Sequence, residues 1–185
     1  MKRYALAALL MLGIASPALA KELAGVKLTD TIQVDGKTLH LNGMGLRKKF
    51  IFDVYVAGLY LEKPSTSGEA ILKSDTARTV RMVMRRDLDS KSIVDAIRTG
   101  FEKNAGDKLP ALQERLNTFT SAIPAVKAND VLSLTYIPGQ GTKVESKSGK
   151  AISVEGKDFA DALFSVFIGK YPVDEAMKRG MLEGK

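Results

Sequence analysis

The sequence contains no cysteine, and His40 is the one histidine among its 185 residues. Without cysteine the chain has no disulfide, no thiol catalysis and no thiolate metal site, so its stability must come from packing. One histidine excludes mechanisms that need a histidine pair and histidine-rich zinc sites, and a Ser-His-Asp triad would have to use His40. Because His40 lies in an alternating, strand-like segment, we expect it at the half-exposed surface. We predict neither a metal site nor a cofactor.

The sequence also lacks an apolar run of the roughly 20 residues that a membrane-spanning helix needs. A shorter apolar run, residues 4–15, follows the positive start Met1-Lys2-Arg3 and precedes Ser16-Pro17-Ala18-Leu19-Ala20, whose end fits a cleavage site for signal peptidase. This pattern predicts a signal peptide at residues 1–20 and one mature domain at residues 21–185. We therefore expect a bacterial protein that is periplasmic or secreted after cleavage near Ala20.

The chain has few clustered charges despite its formal net charge of +7. The lysines after residue 140 are scattered, which is typical of a solvated face. Nucleic-acid binding calls for a clustered basic stripe interleaved with aromatic residues, and the sequence has no convincing example. We expect no nucleic-acid partner, while a weak attraction to anionic lipid or acidic ligands stays open.

Residues 41–62 are the centre of the chain. From Phe50 to Leu61 the residues are almost all β-branched, aromatic or aliphatic, apart from Asp53, as in a central strand that is covered on both faces. The preceding segment has Gly43 and Gly45, where the backbone can turn tightly or approach another group, and it brings Arg47 to the entrance of the strand.

The remaining patterns predict an α+β domain, with helices on one side of a mostly antiparallel sheet. Alternation and turn residues predict the strands, and apolar residues three and four apart predict the helices. The predicted strands are 31–34, 38–41, 79–85, 131–137, 142–146 and 151–154, with Asp35-Gly36 as a hairpin turn. The predicted helices are a turn at 69–73, one capped by Asp89 or Asp87 that contains Ile93, Ile97 and Phe101, one from 109 to 123, one from 159 to Gly169, and 174–179 before Gly180.

Two motifs resemble the chalcone isomerase-like family. The first runs from Gly43-Met44-Gly45-Leu46-Arg47-Lys48-Lys49-Phe50 to Val56-Ala57-Gly58-Leu59-Tyr60-Leu61, and the second is Phe167-Ile168-Gly169-Lys170-Tyr171-Pro172-Val173-Asp174-Glu175-Ala176. The resemblance covers essentially the whole mature chain. It implies an open-faced β-sandwich, in which a large antiparallel sheet is covered on one side by a layer of helices, with a ligand cleft between them.

The family contains plant enzymes that cyclise chalcones, plastid fatty-acid-binding proteins, and bacterial exported members that look non-catalytic. The resemblance implies that Arg47 is the family's cleft arginine, which guides the enolate in the enzymes and meets the carboxylate in the fatty-acid binders. The enzymes' strand threonine falls on Tyr55. Their tyrosine falls near Asp89, their asparagine near Ala96 and their later threonine near Val166. Of these cleft residues of the enzymes, only the arginine has the same residue type in this sequence, at Arg47.

One guanidinium can supply only part of what the cyclisation needs, which is a deprotonated nucleophile and preset donors for the enolate oxygen. An apolar cleft with Arg47 and Tyr55 suits a carboxylate with an apolar tail better, because arginine matches a carboxylate with a planar fork of donors. Composition alone favours a surface position for Arg47, and Tyr55 could equally be a packing residue. Asp53 could pair with Arg47 or with a lysine, and Lys48 and Lys49 are expected at the surface.

Three functions follow as hypotheses. The first is a non-catalytic exported protein that binds a small apolar acid, such as a fatty acid, through Arg47 and Tyr55. The second is an enzyme, an intramolecular lyase of the chalcone isomerase type, with Arg47 as its catalytic residue. The third is a structural or partner-binding module of the envelope, for which the sequence offers no specific feature.

Overall fold

The computed structural model describes residues 20–147 and 151–183. The predicted signal peptide lies outside the described residues apart from Ala20, and so does the predicted turn at residues 148–150. No helix within the described ranges is long and apolar enough to cross a bilayer.

An antiparallel sheet of seven strands, each paired with its neighbour in the chain, forms the centre of the fold. A separate two-stranded hairpin, which the sequence did not predict, precedes it. The strands of that hairpin are β1 (Ala20–Leu23) and β2 (Val26–Thr29). The strands of the sheet are β3 (Thr31–Val34), β4 (Lys37–Lys49), β5 (Phe52–Leu61), β6 (Arg78–Met84), β7 (Val131–Ile137), β8 (Gly141–Ser146) and β9 (Ile152–Val154).

The helices cover one face of this sheet, so the predicted α+β architecture is confirmed. Their ends follow the sequence signals: the Asp89 side chain accepts a hydrogen bond from the N–H of Ser92 at the start of the second helix, and Pro110 lies in the first turn of the third. The helices are α1 (Gly68–Lys73), α2 (Ser90–Ala105), α3 (Leu109–Ser121), α4 (Lys157–Ile168) and α5 (Glu175–Glu183).

Strand β5 is buried on both faces, as predicted for the central strand. Tyr55 and Leu59 belong to the main core beneath the helices, whereas Val56 packs on the opposite face against Val26 and Leu28 of the β1–β2 hairpin. The hairpin therefore covers the side of β5 that the helices leave open.

The turn into β5 differs from the prediction. Strand β4 continues through Gly43 and Gly45 to Lys49, with a register shift between Leu41 and Gly43, and the chain reverses at Phe50 and Ile51, so β5 begins at Phe52. The glycines serve close approach rather than turning, because a Cβ at either position would collide with the backbone of α5.

The final helix is longer than predicted. Gly180 indicated an end, but α5 continues through it to Glu183. A Cβ at Gly180 would collide with the carbonyl oxygen of Met44. This glycine therefore lets the helix lie on β4, and its role is packing rather than capping.

Candidate functional site

Arg47 and Tyr55 are directly opposite each other on β4 and β5. The Cζ atom of Arg47 lies 5.6 Å from the centroid of the Tyr55 ring. Side chains opposite each other in an antiparallel pair share one face of the sheet, and here it is the face beneath the helices. The two site residues predicted from the sequence are thus brought together.

A β-bulge beside this pair shapes the site. The register shifts between Arg47 and Lys48, which leaves Val54 as the extra residue of β5. As a result, the consecutive residues Val54 and Tyr55 both face the same cavity, which a regular strand would not allow.

The cavity has a volume of about 70 Å³ and lies between the sheet and the helices. Its wall is apolar apart from the side chains of Arg47, Lys49 and Ser92 and the hydroxyl of Tyr55. The apolar residues that line it are Val54, Met82, Met84, Leu88, Ile93, Ala96, Ile97, Leu132, Val166, Phe167 and Val173. Sheet, α2 and α4 each contribute a wall, so the cavity exists only in the folded chain.

The mouth of the cavity is polar. Arg47, Lys49 and Ser92 also line an outer cleft of about 400 Å³, together with Lys103 and Tyr171 among others. The cations therefore stand where the apolar interior meets the open cleft. Lys49 is exposed, as expected from the sequence, but its place at this mouth was not predicted, and neither was that of Ser92.

Arg47 forms no ion pair within the described residues, and it is half-buried. Two carboxylates that contact the adjacent Lys48 are engaged elsewhere. Asp53 pairs with Lys48 at 3.3 Å between Nζ and Oδ1. Of the two partners that the sequence left open for Asp53, Arg47 or a lysine, the lysine is the one that it contacts. Asp174 accepts hydrogen bonds from the backbone N–H groups of Lys48 and Met177. The guanidinium is consequently available to an anion from outside the chain.

Tyr55 keeps its phenolic proton at neutral pH. Burial raises the pKa of this phenol, and the neighbouring Arg47 guanidinium opposes the rise only in part. The protonated hydroxyl can donate a hydrogen bond to an oxygen atom that Arg47 also contacts.

Two of the three further positions that the family resemblance indicated also line the cavity. Ala96 and Val166 contribute apolar wall, where the enzymes of the family are expected to have polar side chains. Asp89 lies outside the lining and caps α2, with its carboxylate accepting hydrogen bonds from the N–H and Oγ of Ser92.

The arrangement can hold an anionic head group at its mouth and an apolar group within. No carboxylate or histidine is among the described residues that line the inner cavity, and no group of three side chains in the described ranges could hold a metal ion. The side chains that line the cavity offer hydrogen bonding, charge pairing and apolar burial.

A solved structure has the same fold. The crystal structure of a fatty-acid-binding protein from Arabidopsis thaliana matches with a TM-score of 0.69 at 18% identity, covering 89% of this chain and 96% of that chain. At this identity the similarity shows the fold alone.

No curated protein sequence matches the chain. The sequence model described as chalcone isomerase-like matches residues 20–183, which is nearly all of the chain. The protein belongs to the chalcone isomerase-like family.

Proposed function

We propose that this protein is an exported, non-catalytic member of its family that binds a small apolar acid, such as a fatty acid. The observation that carries the proposal is the position of Arg47: its guanidinium has no carboxylate partner in the described chain and stands at the mouth of an apolar cavity beside Tyr55. The carboxylate would meet Arg47 and the Tyr55 hydroxyl, and the tail would enter the cavity.

The chemistry of these groups favours a carboxylate. A guanidinium offers a planar fork of donors that fits both oxygens, and the half-buried position strengthens each hydrogen bond relative to bulk water. Apolar walls with a few well-placed polar groups are typical of small-molecule sites. An apolar acid satisfies both halves of the site at once.

The cavity size limits the tail. A volume of about 70 Å³ is well below the roughly 300–1,000 Å³ of drug-sized ligand sites. Short-chain acids therefore fit with less rearrangement than long-chain acids. Met82 and Met84 line the cavity and are flexible enough to change rotamer, which gives a longer tail a way to enter.

The comparisons support the proposal from outside the chain. The similar Arabidopsis structure is titled a fatty-acid-binding protein, and the family match spans residues 20–183. The family match begins at residue 20, so the apolar segment ahead of it lies outside the matched domain, which favours its role as a signal peptide.

Binding is tested with protein purified without detergent, first by native mass spectrometry and then by calorimetric titration with fatty acids of increasing chain length. Arg47→Ala would leave the carboxylate without its charged partner, a loss of roughly 2–5 kcal/mol, so affinity should fall at least about tenfold. Arg47→Lys should restore part of it, and Lys63→Ala, on the exposed chain after the opposite end of β5, is the matched control. Equal, weak binding by all four proteins would refute the proposal.

Catalysis is tested with the same variants. Incubation of the wild-type protein with a chalcone, followed by absorbance, should show no turnover above the spontaneous rate. Turnover that Arg47→Ala abolishes would instead identify the protein as an intramolecular lyase.

A further inference from the structure

The turn between β4 and β5 exposes three consecutive large apolar residues. Phe50 is 88% exposed, Ile51 is 85% exposed and Phe52 is 51% exposed. Among the described residues, Tyr171 is the only other large hydrophobic side chain exposed to this degree. An apolar cluster of this kind on a surface marks an interaction site.

The backbone of this turn is unfavourable for its sequence. Phe50 has a φ of +56°, in the left-handed region that two-residue hairpin turns normally fill with Gly, Asn or Asp. A bulky aromatic side chain at such a position weakens the local fold. Residues that break a local rule in this way concentrate at functional sites.

Cations surround the apolar turn. Lys48 and Lys49 precede it, and the Cζ atom of Arg86 lies 4.8 Å from the centroid of the Phe52 ring. Within residues 20–147 and 151–183, neither Lys49 nor Arg86 has a carboxylate partner, whereas Lys48 pairs with Asp53.

Three acidic groups near this end are engaged by other partners. Asp87 pairs with Lys127 at 2.9 Å, Asp95 of the outer cleft pairs with Lys91 at 2.6 Å, and Asp174 accepts from backbone N–H groups. Lys49 and Arg86 therefore flank the turn without an ion-pair partner in the described chain.

Tyr171 belongs to the same end of the molecule. It lines the outer cleft together with Lys49, and the Nζ atom of Lys170 lies 5.2 Å from the centroid of its ring. Amphipathic aromatic rings beside basic residues are common where a protein meets the headgroups of a membrane.

We propose that this end of the molecule, with residues 48–52 as its docking tip, binds the surface of a bilayer that contains anionic phospholipid. Phe50 and Ile51 enter the interface, while Lys49 and Arg86 contact the headgroup phosphates. Apolar burial and attraction to anionic lipid together determine the strength of such binding.

The shape of the docking tip favours a bilayer over a protein partner. A stable protein interface buries about 800 Å² on each side, whereas the two residues of this turn and the first residue of β5 present only three apolar side chains. A bilayer needs no complementary pocket, because apolar side chains of any shape can enter its interface.

The docking tip and the cavity share Lys49. Docking would therefore bring the mouth formed by Arg47 and Lys49 close to the headgroups, where an acid could pass between membrane and cavity. This consequence rests on the proposed function, whereas the docking itself does not.

Flotation with vesicles tests the docking. We expect the protein to float with vesicles of phosphatidylcholine and phosphatidylglycerol more than with phosphatidylcholine alone, and to be released by salt. Arg86→Glu should weaken binding about tenfold, and the variant F50S/I51S should abolish it. Lys63→Glu makes the same change of charge away from the docking tip and should bind vesicles like the wild type. If Lys63→Glu weakened binding as much as Arg86→Glu, the attraction would be non-specific and a defined docking end would be refuted.

Fluorescence provides a second test, since the chain has no tryptophan. An Ile51→Trp variant should show a blue shift with anionic vesicles, and a Lys63→Trp variant should not. No shift at low salt, or equal shifts in both variants, would overturn the proposal. The proposal would also be overturned if neither the wild type nor F50S/I51S bound vesicles and the wild type instead formed a self-associated state or a protein complex that F50S/I51S disrupts.

Calorimetric titration of F50S/I51S with a fatty acid separates the two proposals, because the affinity of this variant for the fatty acid should equal that of the wild type.

Discussion

Arg78 and Asp161 form an ion pair whose cation is completely buried: Nη2 of Arg78 donates to Oδ1 of Asp161 at 2.5 Å. The guanidinium also donates to two carbonyl oxygens at the end of α1 and lies 4.8 Å and 4.9 Å from the ring centroids of Tyr136 and Phe164. One side chain therefore joins the first residue of β6 to α1 and α4.

Removal of the carboxylate should be costly. Asp161→Ala leaves the buried cation of Arg78 without its counterion, and we expect the free energy of unfolding to fall by about 3 kcal/mol. Chemical denaturation measures this change. Asp158→Ala is the control on the same helix, because it breaks the more exposed pair with Arg115 and should cost about 1 kcal/mol or less. Equal losses in the two variants would contradict a special role for the buried pair.

Gly45→Ala should destabilise the contact between β4 and α5. The new Cβ would overlap the backbone of Met177, which cannot move aside as a flexible side chain could. We expect a loss of about 3 kcal/mol in the free energy of unfolding. Gly36→Ala has open space around its Cβ and a φ of +74° in the Asp35-Gly36 turn, so it should lose only about 1 kcal/mol. A loss at Gly45 no larger than at Gly36 would show that the helix can shift.

Phe50→Gly should raise the melting temperature. Glycine adopts the φ of +56° without the steric cost that phenylalanine has there, and no buried contact is lost at a side chain that is 88% exposed. The expected gain is about 1 kcal/mol. Ile51→Gly is the control, since Ile51 has no positive φ and should gain nothing. A stabilised Phe50→Gly variant would indicate that the natural residue is kept for another purpose.

Tyr136 should make stability fall at high pH. Burial and the hydrogen bond that its hydroxyl donates to Asp75 raise the pKa of this phenol from 10.0 to about 12. Because the folded state holds this proton more tightly, the contribution is complete below about pH 10 and disappears as the pH rises through about 12. Denaturant unfolding at a series of pH values should show that the wild type and Tyr136→Phe converge over this range. A difference independent of pH would contradict the assignment.

Ala96→Leu should block the mouth of the cavity. Ala96 lines both the inner cavity and the outer cleft, so a larger side chain there would occupy the path of a ligand. We expect affinity for a fatty acid to fall at least about tenfold, while the melting temperature stays the same or rises as space is filled. Ala111→Leu, at an exposed position of α3, should change neither property. Unchanged affinity in Ala96→Leu would place the ligand elsewhere.

The sequence by itself determined the features that depend on neighbouring residues. Asp35 and Gly36 both adopt positive φ in the predicted hairpin, and Asp89 caps α2 as its position indicated. Turn conformations and helix caps are decided within a few residues, so composition and spacing reveal them. The resemblance of the motif around Arg47 to a known family also predicted that Arg47 and Tyr55 share a cleft.

The tertiary structure decided the features that depend on distant parts of the chain. The turn at Phe50 and Ile51 carries no turn residue, because pairing along two long strands determines where the chain reverses. The glycines of β4 and Gly180 acquired their role only when α5 packed on the strand. Arg78, at the start of a strand, gave no sign that it would be buried against Asp161. Lys49 and Ser92 line the cavity mouth because the end of β4 and the start of α2 meet there. Such long-range packing leaves no local pattern in a sequence.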